Sequence, residues 1–179
     1  MSVSTKKLAQ VGMLLALSYL GSLIKIPTPV GTTAFDSAPA YFSGLLLGGM
    51  WGALVGFFGH LFTALVSGFP LSLPIHLVIA IGMGASVLLF SYLYRRSRAL
   101  GIIGALLANG VLLPLSLLAW PNFTLQAIMV TMVPFLLLAT LLNLLVVVGS
   151  TANKSCFAPP MFAELSLVIT NSLSLRALI

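Results

Sequence analysis

Acidic residues are nearly missing from this chain of 179 residues. Asp36 and Glu164 stand against eight Lys and Arg, and charged residues make up 6% of the sequence. A soluble domain carries about a quarter charged residues, so the scarcity excludes an ordinary cytosolic enzyme, a disordered regulator and a nucleic-acid binder. Cysteine is scarce as well. The lone Cys156 excludes an intramolecular disulfide, gives no reading of redox compartment, and suits a small buried or tail position better than a nucleophile. What the chain has in excess is apolar: 60% of its residues are hydrophobic, which reads as an integral membrane protein. The net charge of +6 is then a statement about topology, because Lys and Arg collect on the cytoplasmic side of membrane spans.

Charge is absent from residues 37–94 and again from 99–153, and at about 20 residues per helical span each block holds two or three helices. The first span, 8–25, follows Lys6 and Lys7 and has no small-residue cleavage site, so it is expected to stay rather than act as a secretory signal. IPTPVGTTAFDSAP after it is too rich in Pro, Thr and Gly to continue a helix and reads as a loop or re-entrant segment. Residues 38–68 make either one long tilted helix or two short ones broken at Gly48-Gly49. Orientation separates these: a single crossing leaves Arg95, Arg96 and Arg98 outside, whereas two crossings return them to the side of Lys6 and Lys7.

The sequence therefore predicts an all-α bundle of six transmembrane helices with both termini cytoplasmic. The expected spans are about 8–25, 38–48, 50–67, 74–94, 99–119 and 123–148, and of the basic residues only Lys25 falls outside the cytoplasmic face. The tail, 149–179, mixes Asn, Ser, Thr and a Pro pair with the short apolar stretch LSLVIT and reads as an interfacial helix or a loose end.

Chemistry-bearing motifs are few. GSTANKS at 149–155 has Asn153 where a phosphate-binding loop needs Gly before its Lys, and it follows a membrane helix rather than a strand. No Gly-x-Ser-x-Gly occurs. His60 and His76, with two acids and one Cys, are too few for the three or four ligands of a metal site, so no metal, cofactor or catalytic residue is nominated.

Some polar residues stand out against the apolar background. Asp36, in FDSAP, reads as the N-cap of the second helix, as a contact to a polar or cationic ligand, or as both. His60 packs in the bundle with one hydrogen bond or touches a ligand. Asn109 and Asn143 lie within spans, where a buried amide must be paired; they join helices or bind a polar ligand. Gly48, Gly52 and Gly56 form one small face expected to pack inside the protein, and Gly12 with Ala16 forms another that suits an internal or a partner contact. The three loops expected outside, IPTPVGTTAFDSAP, SGFPLSLPIH and AWPNF, bring stiff backbone, aromatic rings, hydroxyls, an acid and His76 over the bundle, a composition that fits a pocket for a small, partly aromatic molecule.

The run FDSAPAYFSGLLLGGMWGALVGFFGHLFTALVSGFP resembles the substrate-binding S components of energy-coupling factor (ECF) transporters, small six-helix membrane proteins that capture vitamins, over roughly residues 6–148. The resemblance implies a vitamin or vitamin precursor captured from outside and uptake driven by a membrane T component and two cytoplasmic ATPases in the bacterial cytoplasmic membrane. It implies substrate contacts at Asp36, His60, His76, Asn109 and Asn143, and a T-component contact at Gly12 and Ala16, with Gly where the family usually has Ala. IPTPVGT with HLFTALVSGFPLSLPIH looks most like the α-ribazole group, with pantothenate-type members second, and residues 149–179 depart from the family's short basic end. Two readings from other classes stay open: a small intramembrane enzyme using His60 or His76, and a structural subunit of a membrane complex.

Overall fold

The computed structural model describes residues 5–28 and 31–151. The chain divides into two units, Met1–Val147 and Val148–Ile179; of the second, only the last turn of the final helix is described. The tail segment LSLVIT, Cys156 and Lys154 lie outside the described residues.

Helix α1 (Thr5–Leu23) leads into a short antiparallel hairpin, β1 (Lys25–Thr28) and β2 (Gly31–Ala34), with Lys25 opposite Ala34 and Thr28 opposite Gly31. The segment expected to be an irregular loop is thus paired with itself. Helices α2 (Ser37–Leu46), α3 (Gly49–Val66) and α4 (Leu73–Tyr94) follow. Next comes α5 (Arg98–Ala119), one rod built of α, π and 3-10 turns. The chain then forms α6 (Leu125–Thr131) and α7 (Val133–Thr151). Four of these, α3, α4, α5 and α7, are long and apolar enough to cross a membrane.

Each break has a local cause. Between α2 and α3, Gly48 adopts φ +105 and ψ 153, a conformation open essentially to glycine alone. It stands outside the helix, so the small face expected from Gly48, Gly52 and Gly56 begins at Gly52. There a Cβ would collide with the backbone of Gly44 and lie 2.9 Å from Val87 Cγ1, so the missing side chain is what lets α2, α3 and α4 approach. In α5, Pro114 cannot donate to the carbonyl four residues back, and its ring crowds that carbonyl. The turn before it widens to a π conformation over Ala108–Leu112, with the Leu113 N–H bonding to Ala108 O. Pro134 similarly interrupts the segment expected as one span over 123–148. The Met132 N–H bonds to Ile128 O at 3.0 Å and the Leu136 N–H to Met132 O at 2.9 Å, so the ladder resumes around the break.

Helices α1 and α3 run in the same direction. The Lys7 ammonium lies 5.2 Å from the centre of the Trp51 ring near both helix starts, Tyr19 meets Phe62 edge-on further along, and Lys25 Nζ donates to Val66 O at the end of α3. One apolar cluster gathers Tyr41, Val55, Val87, Phe90, Leu144 and Val147, with Tyr41 and Phe90 in edge contact at 5.0 Å. A second lies toward the opposite end of α4, where Ile75, Leu117, Ile128 and Met132 pack with Trp120 and Phe123.

The partition of polarity is the reverse of a soluble protein. Ser18, Ser22, Ser43, Ser86, Thr140 and Asn143 are buried, while Leu17, Leu54, Ile81, Ile103, Leu112 and Leu145 are exposed. Such an outer surface is stable against hydrocarbon and not against water.

Candidate functional site

Asp36 immediately precedes α2, yet its carboxylate does not cap that helix. The capping acceptor is Asn143 Oδ1 of α7, which receives the Ala38 N–H at 2.7 Å, while Asn143 Nδ2 donates to Ala139 O at 2.8 Å. The expected cap at Asp36 is therefore supplied by another helix, and the Asp36 side chain is left for hydroxyls. Thr63 donates to Oδ2 at 2.5 Å and Ser37 to Oδ1 at 3.0 Å; the main-chain oxygen of Asp36 accepts from Ser18 at 2.9 Å. Asp36 is thereby tied to α1, α2 and α3 at once. Burial pushes its carboxyl above the usual carboxylate value, and the hydroxyls of Thr63 and Ser37 pull the other way.

His60 and His76 sit on α3 and α4, as their spacing requires, but the antiparallel packing of those helices brings them together. His60 Nε2 and His76 Nδ1 are 3.2 Å apart, and one N–H serves the contact. Phe69 stands edge-on to the His76 ring at 5.7 Å. His76 is 6% exposed, and its Nε2 is buried without a hydrogen-bond partner. Among the described residues no group of three or more His, Cys, Asp or Glu converges.

Asn109 lies in the π turn of α5, and its Nδ2 donates to Thr140 Oγ1 of α7 at 2.7 Å. The turn that relieves Pro114 also sets the direction of this amide, a common use of π turns at binding sites.

All five residues nominated for substrate contact line one cavity of about 140 Å³. Polar groups from α2, α3, α4, α5 and α7 meet across it, and Met83, Leu113, Leu117, Phe135 and Leu136 give an apolar wall. Pro70 and Leu71 of the α3–α4 loop close one side. Trp120 and Phe123 of AWPNF pack into the second apolar cluster instead.

Sequence reasoning missed Ser37, Thr63 and Thr140 as lining residues. Thr63 is three residues beyond His60, and Thr140 three before Asn143, so helical projection from the nominated residues finds both. Gly12 and Ala16 are far from this arrangement in character: both are exposed on α1, and a Cβ at Gly12 would meet nothing within 4 Å.

The fold and this chamber define a small helical membrane protein built round a cavity lined by both polar and apolar side chains. The family model described as ECF transporter, substrate-specific component matches residues 6–172, and the chain belongs to that family. The match runs past residue 148, into the tail. A solved S component of a bacterial ECF transporter superposes with a TM-score of 0.67 at 19% identity, covering 85% of this chain and 96% of the other, which is a likeness of fold. No curated protein sequence matches.

Proposed function

We propose that this protein captures a vitamin or vitamin precursor from outside a bacterial cell and passes it to an ATP-driven module. The observation that carries the reading is the convergence of Asp36, His60, His76, Asn109 and Asn143 on one cavity, although they come from five separate segments. In this reading residues 1–148 are the substrate-binding domain, crossing the bacterial cytoplasmic membrane six times with both termini inside, and 149–179 is a distinct tail. The cavity then opens toward the side carrying Lys25, away from Arg95, Arg96 and Arg98.

The substrate group that best fits the sequence resemblance is α-ribazole or a related cobalamin precursor, with pantothenate next. The chain carries no phosphate-binding loop in its described residues, and energy comes from a T component and two cytoplasmic ATPases. The exposed Gly12 and Ala16 supply the smooth face on which the T component docks. An enzyme built on the histidines is less well supported, because His60 Nε2 and His76 Nδ1 are spent on each other rather than on a hydroxyl nucleophile.

Uptake tests this directly. Cells carrying the chain together with a T component and ATPases are expected to accumulate labelled substrate, and cells carrying the chain without them are expected not to. Accumulation that is independent of the ATPases would contradict the proposal.

A further inference from the structure

The cavity is unbalanced in charge. Among the described residues that line it there is one carboxyl, at Asp36, and no Lys or Arg. Three of the cations are engaged elsewhere: Lys25 Nζ donates to Val66 O at 3.3 Å, Lys7 lies over the Trp51 ring and Arg96 over the Tyr92 ring. The partly positive N-terminus of α2 is already met by the Asn143 carbonyl at the Ala38 N–H.

The histidines do not restore the balance. They share one N–H hydrogen bond, and as a neutral pair they bring no positive charge to the cavity. Whether Asp36 is ionised or holds its proton, it adds no positive charge. A ligand carboxylate or phosphate entering here would lose its hydration with no cation to replace it, and would face Asp36 as well.

We infer that this cavity takes a ligand without negative charge, a neutral or cationic molecule whose N–H or O–H donors reach the Asp36 carboxyl, and that it rejects carboxylates and phosphates. The inference rests on the capture reading and sharpens it. Each carboxylate has about four acceptor positions, and here the hydroxyls of Thr63 and Ser37 and the main-chain N–H groups of Asp36 and Ser37 address them, so a ligand donor binds by displacing one of these contacts. The apolar wall of Met83, Leu113 and Leu136 suits the ring of such a ligand. Of the two substrate groups above, this selects the nucleoside over pantothenate, and the free nucleoside over its phosphate ester.

Matched pairs test the inference on the full-length protein in nanodiscs at neutral pH. Benzimidazole riboside is titrated against its 5′-monophosphate, and pantothenol against pantothenate. The uncharged member of at least one pair is expected to bind, and its anionic counterpart to bind more weakly by roughly tenfold or more, because the anion gives up its hydration with no cation to replace it. Asp36→Asn is expected to weaken binding of the uncharged compound by roughly tenfold, through loss of the hydrogen bond to the carboxyl. An anionic member that binds as tightly as its neutral partner overturns the inference and leaves the capture reading standing. Affinity for the uncharged compound that is unchanged in Asp36→Asn overturns the role given to this carboxyl. Failure of all four compounds to bind protein with an intact melting transition overturns both.

Discussion

Asn143 Oδ1 accepts the Ala38 N–H at 2.7 Å, so a side chain in the middle of α7 caps the start of α2. Residues 105 positions apart in the chain thereby close one of the four N–H groups that a helix start leaves open. The same amide bonds back to Ala139 O, which satisfies its donor side within its own helix.

Removing this cap leaves a buried N–H without a partner. Asn143→Leu is expected to lower stability by about 1–3 kcal/mol, seen as a lower melting temperature in detergent, whereas Asn109→Leu is expected to weaken ligand binding with a smaller change in melting. Equal melting of Asn143→Leu and the parent protein would contradict the capping role.

Gly48 is held at φ +105 between α2 and α3. A side chain there is strained by about 1–3 kcal/mol, although nothing lies within 4 Å of its Cβ position. Gly48→Ala is therefore expected to destabilise through backbone conformation alone. A melting temperature unchanged by this substitution would show that the α2–α3 junction tolerates the conformation.

The Asp36 carboxyl, pushed up by burial, holds its proton more firmly in the folded chain than in the unfolded one. The stability this contributes is complete below the unfolded value of 3.8 and is lost as pH rises through the folded value. Relative to Asp36→Asn, the parent protein is expected to be most stable at low pH and to lose ground as pH rises. A difference in melting temperature that grows in the parent's favour with rising pH would contradict the direction of the shift.

A bulky residue at the exposed Gly12 or Ala16, such as Gly12→Trp, meets open space rather than core. Ligand binding by the purified protein is expected to be unchanged while uptake with the partner subunits is lost. Loss of binding by the purified protein would place this face inside the fold, and uptake that survives the substitution would contradict the docking role.

The parts of the site that were legible in the sequence are those that apolar helices cannot hide. Asp36, His60, Asn109 and Asn143 stand out because an unpaired polar group in hydrocarbon is costly. Thr63 and Thr140 did not stand out, because a threonine hydroxyl can bond to its own helix, as Thr63 also does toward Gly59 O at 3.2 Å. The Gly48-Gly49 break was legible as paired glycines, but the left-handed geometry that removes Gly48 from the small face was not. The hairpin over 25–34 arises from pairing between two strands, which local composition rich in Pro and Thr does not announce. The π turn at Asn109 and the interruption at Met132 both trace to prolines, Pro114 and Pro134, whose effect depends on how the neighbouring turns adjust.

The most direct measurement is mass spectrometry of small molecules released from the purified protein, followed by titration of the compound found. The account predicts a vitamin-like molecule without negative charge that binds at micromolar or better affinity, and more weakly to Asn109→Leu. Release of no small molecule, or of one whose affinity is unchanged by substitutions at both Asp36 and Asn109, would contradict it.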